Sequence, residues 1–385
     1  MVKSSEIPCI LLLSENFPPI PGGTSRWFYN LYSRLEDWRT IVVTKHAGSQ
    51  PPQGAEVYCI DWPLTSWTFM SPSNWKKYWL MARGVLDIAR SKGISIVHAG
   101  RCQPEGIIAL GLKYRTGIPY LIYVHGEDVE IAWRCREYRY MVQQVLNSAR
   151  MLVVNSRFTA GILRHKWKIP SRKLRILHPG VDTDFFVPAT WPMSKNRFNV
   201  LCPGRLQQRK GQDVLLRAAV LARMHIPSLK IIIAGDGPDR RLIQELITKL
   251  SLQDIVTWIP SPDDRELRRL YWEADVVVLP NREIDGDCEG FGIVLLEAQA
   301  CGKPVLCGNS GGTRETLLPD RSGFVRDCSD PRVLAEALIM LYEARNRLAS
   351  VGQSGSQWVR RMFDWSVLIP KAQNLFRNYA NLWDR

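Results

Sequence analysis

Short apolar runs alternate along the whole chain with longer stretches in which apolar side chains recur every three or four residues. The first pattern predicts strands and the second amphipathic helices. In the first half strands are expected at 9–13, 40–44, 56–60, 95–98, 120–124, 151–154 and 174–177, with helices over 24–35, 75–90, 105–114 and 138–149. The second half restarts the alternation. Strands are expected at 199–202, 230–234, 255–258, 276–279 and 304–307, with helices over 212–224, 239–250, 265–274, 292–300 and 331–345. Strand runs with almost no polar alternation imply parallel sheets covered on both faces. The fold class is therefore α/β, with two doubly wound Rossmann-like domains of similar size and a cleft between them. The joint is expected at 187–195, where Pro188 and Pro192 interrupt both periods. That gives domains at 1–187 and 188–365, with a last helix over 366–385 crossing back to the first.

Length and composition fit two folded domains and exclude a disordered tail, a collagen or a coiled coil: 385 residues, 45% hydrophobic, 23% charged. No apolar run approaches the ~18 residues that span a bilayer. The run from Ile10 to Leu13 is too short for a secretion signal. Nine cysteines without a CxxC pair read as reduced thiols of a cytoplasmic protein. The net charge of +14 calls for an anionic partner. Residues 1–190 carry 24 basic and 14 acidic side chains, whereas 191–385 carry 27 and 23, so most of the excess lies in the first half.

Four segments carry candidate chemistry. Pro18, Pro19, Gly22 and Gly23 form a turn between a strand and a helix, with Thr24 or Ser25 as the helix cap. Such a turn favours an anion at the helix N-terminus, and an ordinary strand-to-helix turn would look the same. In 203–211 (PGRLQQRKG), Arg205, Arg209 and Lys210 crowd a short glycine-bounded loop. A helix would spread such charges around its surface, whereas a loop at a strand's C-terminal end aims them at a ligand. Glu289 and Glu297 lie eight apart in EGFGIVLLE, with Gly290 and Gly292 at the helix entry. Glu297 falls in an apolar stretch, where a lone carboxylate is costly unless it binds something, and sugar hydroxyls would satisfy it. His125 ends a buried strand, at the edge where open α/β sheets bind ligands, although a structural histidine fits there too.

Two further signals carry less. Gly235-Asp236-Gly237 lacks the third glycine of a dinucleotide fingerprint. Asp285 and Asp287 resemble a metal-binding pair, but carboxylates before a helix N-terminus are welcome without a metal.

Together these segments resemble the retaining glycosyltransferases of the GT-B fold, the large family four that includes the phosphatidylinositol mannosyltransferases. Glu289 to Glu297 corresponds to that family's E-x7-E motif. Arg205 through Gly211 is similar to its diphosphate clamp, and Gly22-Gly23 to its first glycine loop. The strings IIAGDGP, EAQACGKP and SGGTRE follow its usual wording. The resemblance implies that Arg205 and Lys210 hold the donor diphosphate and that Glu297 binds the ribose. It also implies that Glu289 and the backbone of Gly290, Phe291, Gly292, Ile293 and Val294 contact the transferred sugar and the phosphates. Gly22, Gly23 and Gly237 would pack near the nucleotide, and His125 would lie against the donor sugar. The sugar nucleotide is then a co-substrate. No separate cofactor or metal is expected, and front-face substitution with retention fits the absence of an obvious nucleophile, Glu289 being the alternative.

The run GIVLLEAQACGKPV resembles GDP-mannose users, with UDP-sugar users and a two-domain sugar-nucleotide epimerase as alternatives. A lipid-linked or saccharide acceptor is expected. Trp62, Trp67, Phe69, Trp75, Tyr78 and Trp79, interleaved with Lys76, Lys77 and Arg83, suggest a peripheral enzyme on the anionic inner face of the cell membrane. An aromatic lobe of the core would give the same composition. Nucleic acid is not expected as a partner, because no recognised binding module appears.

Overall fold

The computed structural model describes residues 7–20, 22–46, 54–62, 72–189 and 196–380. Pro21, Trp67, Phe69, Pro192 and residues 381–385 lie outside the described residues.

The chain divides into two compact units, residues 1–178 with 365–385, and residues 179–364. The first holds strands β1 (Cys9–Leu13), β2 (Arg39–Thr44), β3 (Ala55–Cys59), β4 (Ile96–Ala99), β5 (Tyr120–Val124), β6 (Met151–Val154) and β7 (Leu174–Ile176). They form one parallel sheet ordered β3-β2-β1-β4-β5-β6-β7, with Leu11 opposite Ile41 and Val97. Successive side chains of β1 enter different cores. Leu11 and Leu13 pack with Val85, Ile108 and Val145. Ile10 and Leu12 pack with Trp27, Phe28 and Leu31 of the helix Gly23–Tyr32. Each fully buried leucine contributes roughly 2 kcal/mol relative to an exposed one. The closing helix Trp365–Ala380 adds Trp365, Leu368, Ala372 and Phe376 to that second core, which is why it belongs to the first unit.

The second unit holds β8 (Phe198–Pro203), β9 (Leu229–Ala234), β10 (Val256–Ile259), β11 (Val276–Leu279), β12 (Val305–Gly308) and β13 (Gly323–Arg326), all parallel and ordered β10-β9-β8-β11-β12-β13. In each sheet the order reverses beside its first strand, at β1/β4 and at β8/β11. In open α/β sheets the ligand binds outside the strands' carboxyl ends at such a reversal.

The boundary falls earlier than the 187–195 joint. Val181 N–H donates to the Phe363 carbonyl at 2.9 Å, Thr183 is hydrogen-bonded to Asp364, and Trp272 Nε1 donates to the Val187 carbonyl at 2.8 Å. Phe186 is buried in the second unit's core, so residues 181–187 are part of that unit. The sequence pattern also missed β13 and the helices Glu127–Arg134, Arg157–His165 and Arg345–Met362. The last of these carries Gly352 and Gly355, which depress helix propensity. Both sit where the helix packs closely: a Cβ at Gly352 would lie 1.9 Å from the Gly302 carbonyl oxygen.

Candidate functional site

Four loops leave the carboxyl edge of the second sheet and meet through glycines. Gly211, at φ +79°, ends the basic loop; a Cβ there would fall 1.9 Å from the Pro280 carbonyl oxygen. Gly311, at φ +73°, approaches the loop before the helix Ile293–Ala300 so closely that a Cβ would lie 2.0 Å from the Glu289 carbonyl oxygen. The same oxygen accepts the Gly312 N–H at 2.9 Å. Gly237 lies under the basic loop, against the Leu206 carbonyl. Side chains would force these loops apart.

On this floor the charged residues are not independent. Glu289 is buried, and its Oε2 receives both Lys210 Nζ at 2.5 Å and Arg209 Nη1 at 2.8 Å. Burial pushes its carboxyl up, but Lys210 and then Arg209 more than reverse this and hold it at about 2. Arg209 also faces Asp287, at 3.3 Å. Asp287, read from sequence as a loop carboxylate serving the helix end, is thus part of an ion-pair network. Arg205 differs: it is exposed, and its guanidinium has no acidic partner among the described residues. It is the cation of this loop left available to an incoming anion.

Gly292, at φ +91°, caps the helix Ile293–Ala300 without a side-chain hydrogen bond to its first N–H groups. Ile293 and Val294 are half-buried there, while the Phe291 ring is buried against Phe363 at 5.9 Å between centroids. Phe291 therefore offers only its backbone. Gly290 joins Glu289 to this entry. Glu297 is buried as expected, but it already has an internal donor, Tyr271 Oη, at 2.8 Å from Oε2. Sugar hydroxyls are not needed to explain its burial. Tyr271→Phe is expected to lower stability by about 1.5–3 kcal/mol, the worth of a hydrogen bond to a carboxylate. Urea unfolding measures it, and an unchanged midpoint would show that the bond contributes nothing.

The pattern also missed Asn281, fully buried just past β11. Its Nδ2 donates to the Ser310 carbonyl at 2.7 Å and its Oδ1 accepts the Gly308 N–H at 3.0 Å, tying two of the loops together. A polar residue straight after VVVLP was the available signal.

Gly22, Gly23 and His125 belong to the first unit. Gly22 caps the helix Gly23–Tyr32 at φ +145° with no side-chain hydrogen bond, so neither Thr24 nor Ser25 is the cap. His125 stands edge-on to Trp27 at 5.6 Å, and its Nε2 lies 2.8 Å from the Gly100 carbonyl oxygen. Burial lowers its pKa, with Asp128 opposing. A neutral ring whose Nε2–H donates to Gly100 keeps Nδ1 as an acceptor. His125 lines a pocket of about 70 Å³ with Asn16, Thr24, Arg101, Gln103 and Tyr138. Beside Arg101, Glu105 is fully buried, accepts the Glu15 N–H at 2.9 Å, and is raised by burial to about 7. It braces the loop after β1, a role with no local sequence signal beyond an acid opening a helix.

Residues 187–358 match the family model of the glycosyl transferases group 1, and residues 21–185 that of Glycosyltransferase Family 4. The chain is 30% identical over 375 residues to a GDP-mannose-dependent alpha-(1-6)-phosphatidylinositol monomannoside mannosyltransferase of Mycolicibacterium smegmatis, covering 92% of this chain and 95% of that protein. It is 28% identical over 388 residues to the Mycobacterium tuberculosis protein of the same description, covering 96% and 98%. Among solved structures, sucrose-phosphate synthase from Thermosynechococcus elongatus is similar in fold, with a TM-score of 0.80 at 20% identity over 97% of this chain and 99% of that one.

Proposed function

Since this chain belongs to the glycosyltransferases of group 1 and family 4, with the GT-B fold, we propose that it moves mannose from GDP-mannose to a lipid-linked acceptor with retention and without a metal. The observation that carries the reading is the loop cluster of the second unit. One free cation, Arg205, and one partly neutralised cation, Lys210, share a short loop with an uncapped helix N-terminus near by in sequence to Glu289. Such a set suits a diphosphate whose charge grows as the bond to the sugar breaks.

The acceptor hydroxyl attacks the anomeric carbon as the bond to the phosphate oxygen breaks. That oxygen takes the hydroxyl proton, and the nucleoside diphosphate leaves. Lys210 and Arg205 take up the developing negative charge, Glu297 orients the ribose, and His125 accepts a sugar hydroxyl through Nδ1. Glu289 serves as an anchor for the two cations. An oxygen already holding Lys210 and Arg209 is a poor nucleophile, which supports the front-face route over a covalent one.

The donor preference takes its support from the relatives that depend on GDP-mannose. A panel of GDP- and UDP-sugars, with membrane-lipid extract as acceptor and EDTA present, is expected to give a mannosylated lipid and GDP from GDP-mannose alone. Product from a UDP-sugar only would replace the donor, and a trapped mannosyl adduct on Glu289 would replace the mechanism.

A further inference from the structure

The second unit holds a cavity of about 450 Å³ at the edge of its sheet opposite the loop cluster. Asp275 lines it directly before β11 and Pro304 directly before β12, so it lies at the amino ends of two strands whose carboxyl ends feed the candidate site. The facing wall is the helix Arg345–Met362, through Leu348, Ala349 and Gln353. Backbone sets the frame. Gly302, at φ +74°, closes off the helix Ile293–Ala300: its N–H donates to the Gln299 carbonyl at 2.9 Å, and the Lys303 N–H to the Ala298 carbonyl at 3.0 Å. Gly302 is held on one side by Gly352 and on the other by Pro188, whose Cβ would lie 3.3 Å from a Cβ placed on Gly302. A cavity framed in this way exists before a ligand arrives.

Two opposite charges line the cavity, and neither is satisfied. Asp275 is 7% exposed; its Oδ2 accepts the Asn199 N–H at 2.7 Å, whereas Oδ1 has no hydrogen-bond partner among the described residues and is not sealed from solvent. Lys303 is half-buried, and its ammonium has neither a hydrogen bond nor an ion pair among the described residues. The two therefore do not pair with each other. Arg345 acts on Asp275 only at a distance, its guanidinium lying over the Tyr342 ring at 4.9 Å. Burial raises the Asp275 carboxyl and lowers the Lys303 ammonium, as it does for charges that have lost water without a close counter-charge. Ala274, Cys301 and Leu348 are buried and make part of the lining apolar, while Gln353 is exposed.

A ligand that satisfies both charges carries an ammonium and a carboxylate a few atoms apart on an apolar body. We propose that this cavity binds a free α-amino acid with an apolar side chain. Its ammonium donates to Asp275 Oδ1, its carboxylate accepts from Lys303, and its side chain rests on Leu348 and Cys301. A simple anion would gain from Lys303 and be repelled by Asp275, and a simple amine would meet the reverse. None of these residues belongs to the loop cluster, so the site stands whatever the donor and acceptor of the transfer reaction are.

Isothermal titration of the full chain with L-leucine, L-valine and L-phenylalanine in turn tests the proposal. The controls are N-acetyl-L-leucine, which lacks the ammonium, and 3-methylbutylamine, which lacks the carboxylate. An apolar amino acid is expected to bind and to raise the unfolding midpoint as its concentration rises, and the controls to bind roughly tenfold more weakly or worse. Asp275→Asn keeps an acceptor for the Asn199 N–H, and Lys303→Met keeps an apolar stem. Each is expected to weaken amino-acid binding about tenfold or more. Ala349→Trp, a change at an exposed lining position, should block binding and leave the unfolding midpoint of the free protein where it was. Absence of binding by all three amino acids would overturn the proposal. So would a control that binds as well as leucine, or undiminished binding by the Asp275→Asn and Lys303→Met variants.

Discussion

Replacing Lys210 with alanine is expected to lower kcat/KM for donor turnover by about 10²–10³-fold, or roughly 2.7–4 kcal/mol of barrier. Arg205→Ala is expected to lose a comparable amount. Their stabilities should differ. Lys210 is half of the charge balance of a buried carboxylate, at 2.5 Å, so its removal also weakens the fold. Arg205 is exposed and has no internal partner among the described residues, so its loss should leave the unfolding midpoint unchanged. Steady-state kinetics beside denaturant unfolding reads both effects. Near-normal turnover in the two variants would remove the diphosphate clamp from this loop. Unequal losses would rank a free cation against one already shared.

Glu289→Gln is the second large effect. It leaves Arg209 and Lys210 half-buried without their common counter-charge, an arrangement expected to cost about 3–5 kcal/mol of stability and nearly all activity. The pH dependence has a definite sign. The folded carboxyl is held at about 2, below the ordinary glutamate value of 4.5. Its contribution is therefore fully present above pH 4.5 and is lost as pH falls toward 2. Urea unfolding of both proteins at pH 7 and pH 3 should show the gap between them shrinking in acid. A constant gap would mean that Glu289 acts through packing alone.

Much of this arrangement was legible in the sequence, for a physical reason. Buried parallel strands are nearly unbroken apolar runs, so β1, β5, β6 and β11 were found with their limits. The edge strand β13 was not, because GFVR is only partly buried and its pattern is weak. Spacing also gave the two glutamates and the clustered cations, since a motif fixed by one strand, one loop and one helix is local. What spacing could not give was who pairs with whom. Tyr271 sits on the helix Asp264–Glu273 and meets Glu297 only through the fold. Arg209 looked like one of three equivalent cations and turned out to be bound to two carboxylates, leaving Arg205 distinct. The tryptophans divided too: composition counts rings, whereas Trp62 precedes the helix Pro72–Lys92 and is buried, and Trp75 and Trp79 lie exposed on it.

The backbone contact between Gly311 and the carbonyl of Glu289 has a bearing on how this enzyme can change. The main chain carrying the anchor carboxylate is wedged by a neighbour with no side chain, so even one added methyl must push it. Evolution of a new donor preference is thereby steered away from reshaping the loops and toward exchanging side chains at their tips. Engineers who graft a longer loop here should expect a silent protein, whereas point changes at solvent-facing positions leave the scaffold intact.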